Sequence, residues 1–206
     1  MIAIVDYDAG NLRSVKRACD AIGIESSFTQ DPDAVARADK IILPGVGNAK
    51  SAMATLDRTG LSQAIRHAFE RGAPILGICV GAQIVLSSSE EGETPGFGFI
   101  AGRTRRLRPA DRTLKIPHMG WNEVQVERPH PLLKGINAGD EFYFVHSYFP
   151  DPDDPSRVFA SSEHGSRFCC ALGRDNLFAT QFHPEKSGRL GLAMLRRFAE
   201  WDGSPC

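Results

Sequence analysis

The sequence predicts an α/β fold with an open, mostly parallel sheet and helices on both faces of the sheet. In the first half, short apolar runs alternate with amphipathic helical patterns in the order β-α-β-α-β, which favours parallel strands joined by right-handed crossovers. In the second half, short strand-like segments separated by Gly, Pro, Asp and Asn are typical of antiparallel hairpins added to such a sheet. The 206 residues fit one large domain better than two small ones, so we expect a single domain over residues 1–206.

The elements of the first half follow from apolar spacing and from residues that cap helices. The turn Asp8-Ala-Gly-Asn11 precedes a helix that has apolar residues at i, i+3 and i+4 and that ends at Gly23. Asp31 followed by Pro32 predicts the start of a second helix. Strands are expected at residues 1–6, 24–29, 40–43 and 74–79, and a further helix at residues 61–71.

The second half is predicted to contain more strands than helices. Strand-like segments are found at residues 95–98, 103–107, 114–119, 123–126, 141–145, 158–163, 168–174 and 177–181. A last helix is expected at residues 188–201, and the remaining tail with Cys206 is expected to fray. We interpret the basic run at residues 103–108 as an exposed strand edge rather than as a phosphate site.

Composition and charge exclude several classes of function. A net charge of −1 argues against general affinity for nucleic acids or acidic membranes. No apolar run approaches the ~18 residues of a membrane span, and the N-terminus leads directly into a predicted strand without a charged leader. The five cysteines include no CxxC pair, so we expect reduced thiols in a cytoplasmic protein, with neither a disulfide framework nor a metal site.

Cys79 is the candidate nucleophile. It lies between Gly77 and Gly81 at Gly-x-Cys-x-Gly spacing, after an apolar strand and before a helical pattern. This arrangement is that of a nucleophile elbow, in which a strained turn between strand and helix exposes one reactive side chain. A helix that begins at this turn directs the positive end of its dipole at the sulfur, which favours the thiolate. A buried structural cysteine between two incidental glycines is the alternative, and the motif alone does not decide between them.

A cysteine nucleophile needs a base, and His183 is the candidate base with its own orienting group. Pro184 favours an extended backbone at His183, and residues i and i+2 of an extended segment point the same way, so Glu185 can accept a hydrogen bond from the ring. The alternative is a loop histidine beside a solvated glutamate. Among the other histidines, His146 lies between aromatic residues and is interpreted as a satisfied, partly buried imidazole.

A glycine-rich loop follows the third predicted strand. Gly45 and Gly47 lie on either side of Val46 at the carboxyl end of that strand, where the backbone can present N–H groups to a ligand. A tight turn before the next helix would have the same sequence signature.

Three segments together resemble the class I (triad-type) glutamine amidotransferases. They are Leu43-Pro-Gly-Val-Gly47, Gly77-Ile-Cys-Val-Gly-Ala-Gln83 and Gln181-Phe-His-Pro-Glu-Lys186. Further segments are similar to the branch that forms the glutaminase subunit of imidazole glycerol phosphate synthase: Asp6-Tyr-Asp-Ala-Gly-Asn11, Ser89-Glu-Glu91-Gly, Lys115-Ile-Pro-His-Met-Gly-Trp-Asn122 and Tyr143-Phe-Val-His-Ser-Tyr148. Asn48-Ala49-Lys50 and Val80-Gly-Ala82 depart from the commoner family residues. The resemblance covers residues 1 to about 200 and implies a flavodoxin-like fold.

The resemblance implies hydrolysis of glutamine to glutamate and ammonia, without a cofactor. Cys79 would form a thioester, His183 would transfer protons, and Glu185 would orient His183. The backbone N–H groups of Val46 and Val80 would form the oxyanion hole. Glutamine would be held by Gly47, Gln83, Glu91, Ser147 and Tyr148.

The resemblance also implies a partner. A separate cyclase subunit with a (β/α)₈ barrel would receive the ammonia and form a heterodimer with this chain, in the synthesis of histidine. Family positions at that interface are matched by Asn11, Trp121, Tyr143 and Lys186. The alternatives are a glutaminase subunit of another synthase, for pyridoxal phosphate or a surface sugar, and a catalytically silent binding module of the same fold. A cysteine peptidase on a similar sheet would not explain Gln83 together with the glycine-rich loop.

Overall fold

A computed structural model describes residues 1–8, 10–111 and 113–204. Ala9 in the predicted first turn and Cys206 in the predicted tail lie outside these residues. The first half consists of β1 (Ile2–Val5), α1 (Leu12–Ala21), β2 (Ser26–Thr29), α2 (Pro32–Arg37), β3 (Lys40–Gly45), α3 (Ala49–Arg58), α4 (Leu61–Glu70), β4 (Ile75–Cys79) and α5 (Val80–Ile84). The second half consists of β5 (Leu86–Ser89), β6 (Thr94–Pro95), β7 (Ile100–Arg106), β8 (His118–Glu123), β9 (Gln125–Val126), β10 (Glu141–His146), β11 (Tyr148–Pro152), β12 (Val158–Glu163), β13 (Arg167–Arg174), β14 (Leu177–Thr180) and α6 (Gly188–Glu200).

The largest sheet has eight strands in the order β2-β1-β3-β4-β14-β13-β12-β9. The first five strands in this order are parallel, and the last three are attached antiparallel. The open α/β sheet and its antiparallel extension are therefore as predicted. β4 lies between β3 and β14, so the carboxyl ends of these three strands meet at one edge of the sheet.

The helices cover both faces of this sheet, as predicted. The chain moves from β1 to β2 in one direction and from β2 to β3 and β4 in the other, so right-handed crossovers place α1 on one face and α2 and α4 on the opposite face. Helix α6 packs against α1, and α3 packs against α4. The central strands β1, β3, β4 and β14 are almost fully buried and form the core with the apolar sides of these helices.

Helix α3 is absent from the sequence prediction. Its buried residues, Ala49, Ala52, Met53 and Leu56, follow helical spacing, but two of them are alanines and give a weak apolar signal. The helix begins at Asn48, whose side chain accepts a hydrogen bond from Ser51 N. This capping pattern was the signal that could have identified the helix.

The added strands of the second half form two further small sheets. β5, β6, β7 and β11 make a four-stranded sheet in the order β11-β7-β5-β6, and β8 pairs with β10 in a two-stranded antiparallel ribbon. The interpretation of residues 103–108 as a strand edge is wrong, because β7 pairs with β5 on one side and with β11 on the other. Three arginines of the basic run at residues 103–108 form ion pairs with acidic groups: Arg103 with Glu93, Arg105 with Asp151 and Arg108 with Glu90. In the described residues, no helix is long and apolar enough to cross a membrane.

Candidate active site

Three neighbouring strands deliver the predicted reactive groups to one edge of the sheet. β3 ends at Gly45, β4 ends at Cys79, and His183 follows shortly after β14. In the parallel registers, Gly45 lies beside Cys79, and Thr180 lies beside Ile78. Residues separated by about a hundred positions in the chain therefore come together because parallel strands end at the same side.

The elbow at Cys79 is strained, as its sequence predicts. Cys79 has φ 57° and ψ −107°, a backbone conformation that is rare for a residue with a side chain. A Cβ atom on Gly81 would lie 1.9 Å from the carbonyl oxygen of Leu43, and one on Gly77 would lie 2.9 Å from the carbonyl oxygen of Gly81. Both glycines are required by close packing rather than by flexibility. Helix α5 begins directly after the cysteine, at Val80.

His183 and Glu185 form the buried ion pair that the sequence predicts. His183 Nδ1 lies 2.7 Å from Glu185 Oε1, and both side chains are fully buried. The other ring nitrogen, Nε2, is buried and meets hydrogen-bond geometry with no described group. Burial lowers the pKa of His183, but interactions with Cys79 and Glu185 outweigh burial and raise the pKa above its usual range. The charged ring is thus favoured, and a cationic imidazolium beside a sulfur stabilises the thiolate.

Asn11 contacts the carboxylate of Glu185, a position that its sequence-based assignment to a partner interface did not suggest. Its side-chain amide donates to Glu185 Oε1 and lies 3.5 Å from His183 Nδ1. Asn11 has φ 76° and precedes α1, but its side chain makes no capping bond to that helix. The amide is therefore used to hold Glu185, and Asn11 remains only partly buried, so contact with a partner stays a prediction.

One cavity of about 360 Å³ contains Cys79 and all the residues predicted to form the oxyanion hole or to hold glutamine. Its lining residues are Val46, Gly47, Cys79, Val80, Gln83, Glu91, Pro117, Val145, His146, Ser147 and Tyr148. The volume is in the range of a small-molecule site. A larger apolar depression of about 570 Å³ lies between Pro129 and Lys134, and it has no cysteine in its lining.

Glu91 links this cavity to helix α3. Its Oε2 atom accepts a 2.7 Å hydrogen bond from Ala49 N, at the first turn of the helix. Burial raises the pKa of Glu91, and this hydrogen bond opposes the rise. One carboxylate oxygen is thus engaged with the protein, and the side chain is fixed against the wall of the cavity.

Tyr7 is a residue near the site that the sequence analysis missed. Its buried hydroxyl donates a 2.7 Å hydrogen bond to the carbonyl oxygen of Pro44, where the glycine-rich loop begins. A Cβ atom on Gly45 would lie 2.4 Å from this hydroxyl, so only glycine fits there. Gly47 has φ 98°, a conformation that also favours glycine. The loop between these two glycines carries Val46 and is anchored at its start by Tyr7.

The other three residues assigned to a partner interface form one cluster beside the triad. Tyr143 and Trp121 are paired across the β8–β10 ribbon with ring centroids 6.2 Å apart, and Lys186 Nζ lies 5.6 Å from the Tyr143 ring. The carbonyl of Tyr143 accepts a 2.9 Å hydrogen bond from His183 N. Trp121 is 53% exposed, and Met119 on the same ribbon is 63% exposed. The ribbon therefore presents an apolar surface next to His183.

The remaining candidate groups have structural positions. His146 is buried, as predicted, and it hydrogen bonds to His118 and to the carbonyl of Tyr148. His130 is buried against Phe178 in the loop before a short 3₁₀ turn. Cys19, Cys169 and Cys170 are buried and free. Within residues 1–8, 10–111 and 113–204, no group of three or more His, Cys, Asp or Glu side chains is placed to hold a metal ion.

Known proteins are similar to this chain over nearly its whole length. The family model for glutamine amidotransferase class-I matches residues 3–201. The imidazole glycerol phosphate synthase subunit HisH of Chromobacterium violaceum is 45% identical over 210 aligned residues, which cover 98% of this chain and 99% of that protein. The HisH subunit of Nitratidesulfovibrio vulgaris is 49% identical and covers 96% of this chain and 95% of its own length.

Solved structures share the fold at lower identity. A structure of PurLQS from Thermotoga maritima superposes with a TM-score of 0.75 at 22% identity, over 97% of each chain. A crystal structure of a glutamine amidotransferase gives a TM-score of 0.76 at 18% identity, over 97% of this chain and 98% of the other. The chain therefore belongs to the class-I glutamine amidotransferase family, in its branch of imidazole glycerol phosphate synthase HisH subunits.

Proposed function

We propose that this protein is the glutaminase subunit of an imidazole glycerol phosphate synthase, and that residues 1–206 act as one amidotransferase domain. It hydrolyses L-glutamine to glutamate and ammonia in histidine biosynthesis, in the cytoplasm. The observation that carries this proposal is the cavity in which Cys79 opens beside the buried His183–Glu185 pair. The similarity to HisH subunits over nearly the whole chain supports the choice of pathway.

In the first half of the reaction, the Cys79 thiolate attacks the side-chain amide carbon of glutamine. A carbon–sulfur bond forms, and the carbonyl π electrons move to oxygen. Protonated His183 then gives a proton to the amide nitrogen, the carbon–nitrogen bond breaks, and ammonia leaves a thioester. Glu185 holds Nδ1 of His183, so that Nε2 is the nitrogen directed at the reaction.

In the second half of the reaction, His183 acts as a base. It takes a proton from a water molecule, whose oxygen attacks the thioester carbon, and the carbon–sulfur bond then breaks to release glutamate and Cys79 thiolate. The raised pKa of His183 supports its return to the charged form after each cycle.

The oxyanion of both tetrahedral intermediates is assigned to the backbone N–H groups of Val46 and Val80. Val80 is the first residue of α5, so its N–H has no partner within the helix. Val46 lies between Gly45 and Gly47 on the cavity wall. Replacing Val46 with proline removes one donor and should lower kcat by roughly 10²–10³-fold, whereas Val46→Ala, which keeps the N–H, should remain within a few-fold of the native rate. Equal rates for the two variants, both checked for folding, would contradict this assignment.

The substrate's amino-acid end is assigned to other residues that line the same cavity. The glutamine α-ammonium suits the carboxylate of Glu91 and the side-chain oxygen of Gln83, and its carboxylate suits backbone N–H groups at Gly47, Ser147 and Tyr148. All five residues line the cavity that contains Cys79.

The ammonia is assigned to a separate cyclase subunit with a (β/α)₈ barrel, bound as a heterodimer. The contact would be formed by residues beside the His183–Glu185 pair, which are the exposed Trp121, Tyr143, Lys186 and the partly buried Asn11. Docking at this surface would let ammonia pass to the cyclase without entering bulk water.

The experiment is a glutamine-dependent synthesis assay with the purified cyclase from the same genome. The native complex should release glutamate and form imidazole glycerol phosphate, and Cys79→Ala should lower both rates by at least about 10³-fold. Free ammonium should restore product formation to the Cys79→Ala complex, because the cyclase is intact. Glutamate release without imidazole glycerol phosphate would contradict the pathway, and hydrolysis that survives in Cys79→Ala would contradict the mechanism.

A further inference from the structure

Gln181 contacts the sulfur of Cys79, although the mechanism above gives it no role. Its side chain is fully buried one residue after β14, and its Nε2 atom lies 3.6 Å from Cys79 Sγ. Its Oε1 atom accepts a 3.0 Å hydrogen bond from Gln83 Nε2. Both ends of this amide are therefore engaged, one with the nucleophile and the other with a residue of the substrate cavity.

The orientation of both amides follows from a carbonyl group that can only accept. Gln83 contacts the carbonyl oxygen of Tyr148 at 3.1 Å, so the atom that it presents must be its NH₂ group. The same NH₂ group faces Gln181, whose side-chain oxygen must therefore accept the hydrogen bond. The NH₂ group of Gln181 is consequently the end that faces Cys79, because these hydrogen bonds fix which atom of each amide is the nitrogen and which is the oxygen.

The same carbonyl orders a second set of groups on its other side. His146 Nδ1 lies 2.8 Å from Tyr148 O and must carry a proton, so its Nε2 accepts from His118 Nδ1 at 3.0 Å. His118 Nε2 in turn accepts from Asn122 Nδ2 at 3.2 Å, and Asn122 also donates to the carbonyl of Glu163. Burial lowers the pKa of His146 to about 3 and that of His118 to about 4, so both rings stay neutral and keep this direction.

We propose that Gln181 is a further catalytic residue, which donates a hydrogen bond to the Cys79 thiolate, and that the buried chain through Gln83, Tyr148 O, His146, His118 and Asn122 positions it. This inference rests on Cys79 being the nucleophile of the proposed reaction. A donor on the sulfur stabilises the charged form and holds it in one rotamer.

The hydrogen-bond chain also determines which side-chain atom of Gln83 is free to bind the substrate. Both N–H groups of Gln83 are used, one for Gln181 and one for Tyr148 O. Only its side-chain oxygen is left for glutamine, and an oxygen acceptor suits an α-ammonium group. The chain thus couples the position of the sulfur to the position of the bound substrate.

The test measures the rate at which iodoacetamide alkylates Cys79 as a function of pH, by peptide mass spectrometry on the complex with its cyclase. Gln181→Met keeps the length of the side chain but has no N–H donor, and the pH midpoint of alkylation should rise by about one unit. Gln181→Glu places a negative charge beside the thiolate, and its midpoint should rise further. In both variants kcat for glutamine hydrolysis should fall by roughly tenfold or more.

The outcomes separate this inference from the proposed function. If Cys79 of the native protein is not alkylated, the nucleophile itself is wrong. If the native protein is alkylated and folded Gln181→Met and Gln181→Glu keep the native pH profile, the role of Gln181 is wrong. Gln181→Asn, which keeps an amide but is one methylene too short, provides a third variant if the other two fail to fold, and its midpoint should also rise.

A matched pair of histidine variants tests the rest of the hydrogen-bond chain. His118→Phe keeps a ring against Phe144 but loses both hydrogen bonds. KM for glutamine should rise about three- to tenfold, because His146, which donates to Tyr148 O, loses its partner at Nε2. His130→Phe keeps a ring against Phe178, and this position lies outside the hydrogen-bond chain, so KM should stay within twofold of native. Equal KM values for the two folded variants would overturn the positioning role of the chain.

Discussion

Two buried histidine sites in this molecule differ in charge, because the ring of His183 is held charged and the rings of His118 and His146 are held neutral. His183 lies against Glu185 and beside Cys79, and its pKa is raised. His118 and His146 lie against each other and against a backbone carbonyl, and their pKa values are lowered to about 4 and about 3. Burial alone would favour the neutral ring at both sites. The difference shows that burial keeps an imidazole neutral unless a partner such as the carboxylate of Glu185 outweighs it.

The two sites are suited to different tasks. A ring held charged by a carboxylate can stabilise a thiolate and give a proton to a leaving group. Rings that donate with one nitrogen and accept with the other fix the direction of a hydrogen-bond chain. The charged ring of His183 interacts with Cys79, and the neutral pair supports the carbonyl of Tyr148, a residue that lines the cavity of Cys79.

Replacing Glu185 with glutamine should have the largest effect. The amide keeps the shape of the side chain but cannot stabilise a charged ring, and it can favour the wrong tautomer of His183. We expect kcat for glutamine hydrolysis to fall roughly 10²–10⁴-fold, with a smaller change in KM. Steady-state kinetics of the complex with its cyclase measure this. A folded Glu185→Gln variant with native kcat would show that the carboxylate does not set the charge of the ring.

The two histidine sites should change the free energy of unfolding in opposite directions as pH falls. Because the folded pKa values of His118 and His146 lie below the unfolded value near 6.5, the unfolded chain takes up protons first, and stability falls as pH drops from about 6.5 towards 4. His183 has a raised pKa, so its contribution is present below pH ~6.5 and is lost as pH rises through the folded value. Each neutral histidine should reduce the free energy of unfolding by about 2 kcal/mol between pH 7 and pH 5.

Denaturant unfolding at the two pH values measures this difference. His118→Phe removes one neutral histidine, so its loss of stability between pH 7 and pH 5 should be about 2 kcal/mol smaller than in the native protein. An unchanged pH difference in this variant would show that His118 is not held neutral in the folded state.

Removing the amide of Asn11 should have the smallest effect. Asn11→Ala takes one donor from Glu185 but leaves the Glu185–His183 contact, so we expect kcat to fall about tenfold. Asn11→Asp places a second carboxylate beside the first and should be slower than Asn11→Ala. Comparison of the two variants tests whether Asn11 acts on Glu185, because a residue that served only to bind the cyclase would change KM or complex affinity and leave kcat at saturating cyclase unchanged.

The sequence predicts those parts of the site that depend on local pattern. The elbow at Cys79 follows from its two glycines. The His183–Glu185 contact forms as predicted, but the predicted extended segment is wrong beyond His183, because Pro184–Lys186 forms a 3₁₀ turn. The parallel sheet then brings both to one edge, because β4 and β14 are neighbours. Each of these inferences needs only the strand and turn rules together with the order of elements.

The sequence does not predict contacts that join distant segments through side chains. Gln181 and Cys79 are separated by 102 positions, Asn11 and Glu185 by 174, and Tyr7 and Pro44 by 37. No periodicity or spacing marks such pairs, because each depends on the final packing of several strands. Helix α3 and strands β5 and β11 were missed for a related reason, since small or polar residues weaken their apolar pattern while tertiary contacts stabilise them.

The most direct test of the account is labelling of the complex with a glutamine-mimicking electrophile, followed by peptide mass spectrometry. One adduct is expected for each polypeptide chain, on Cys79. It should form more slowly in the presence of glutamine and in the Glu185→Gln variant. Loss of glutaminase activity should follow the extent of labelling. Inactivation with the adduct on another residue, or an active complex that leaves Cys79 unlabelled, would contradict the assignment of Cys79 as the nucleophile.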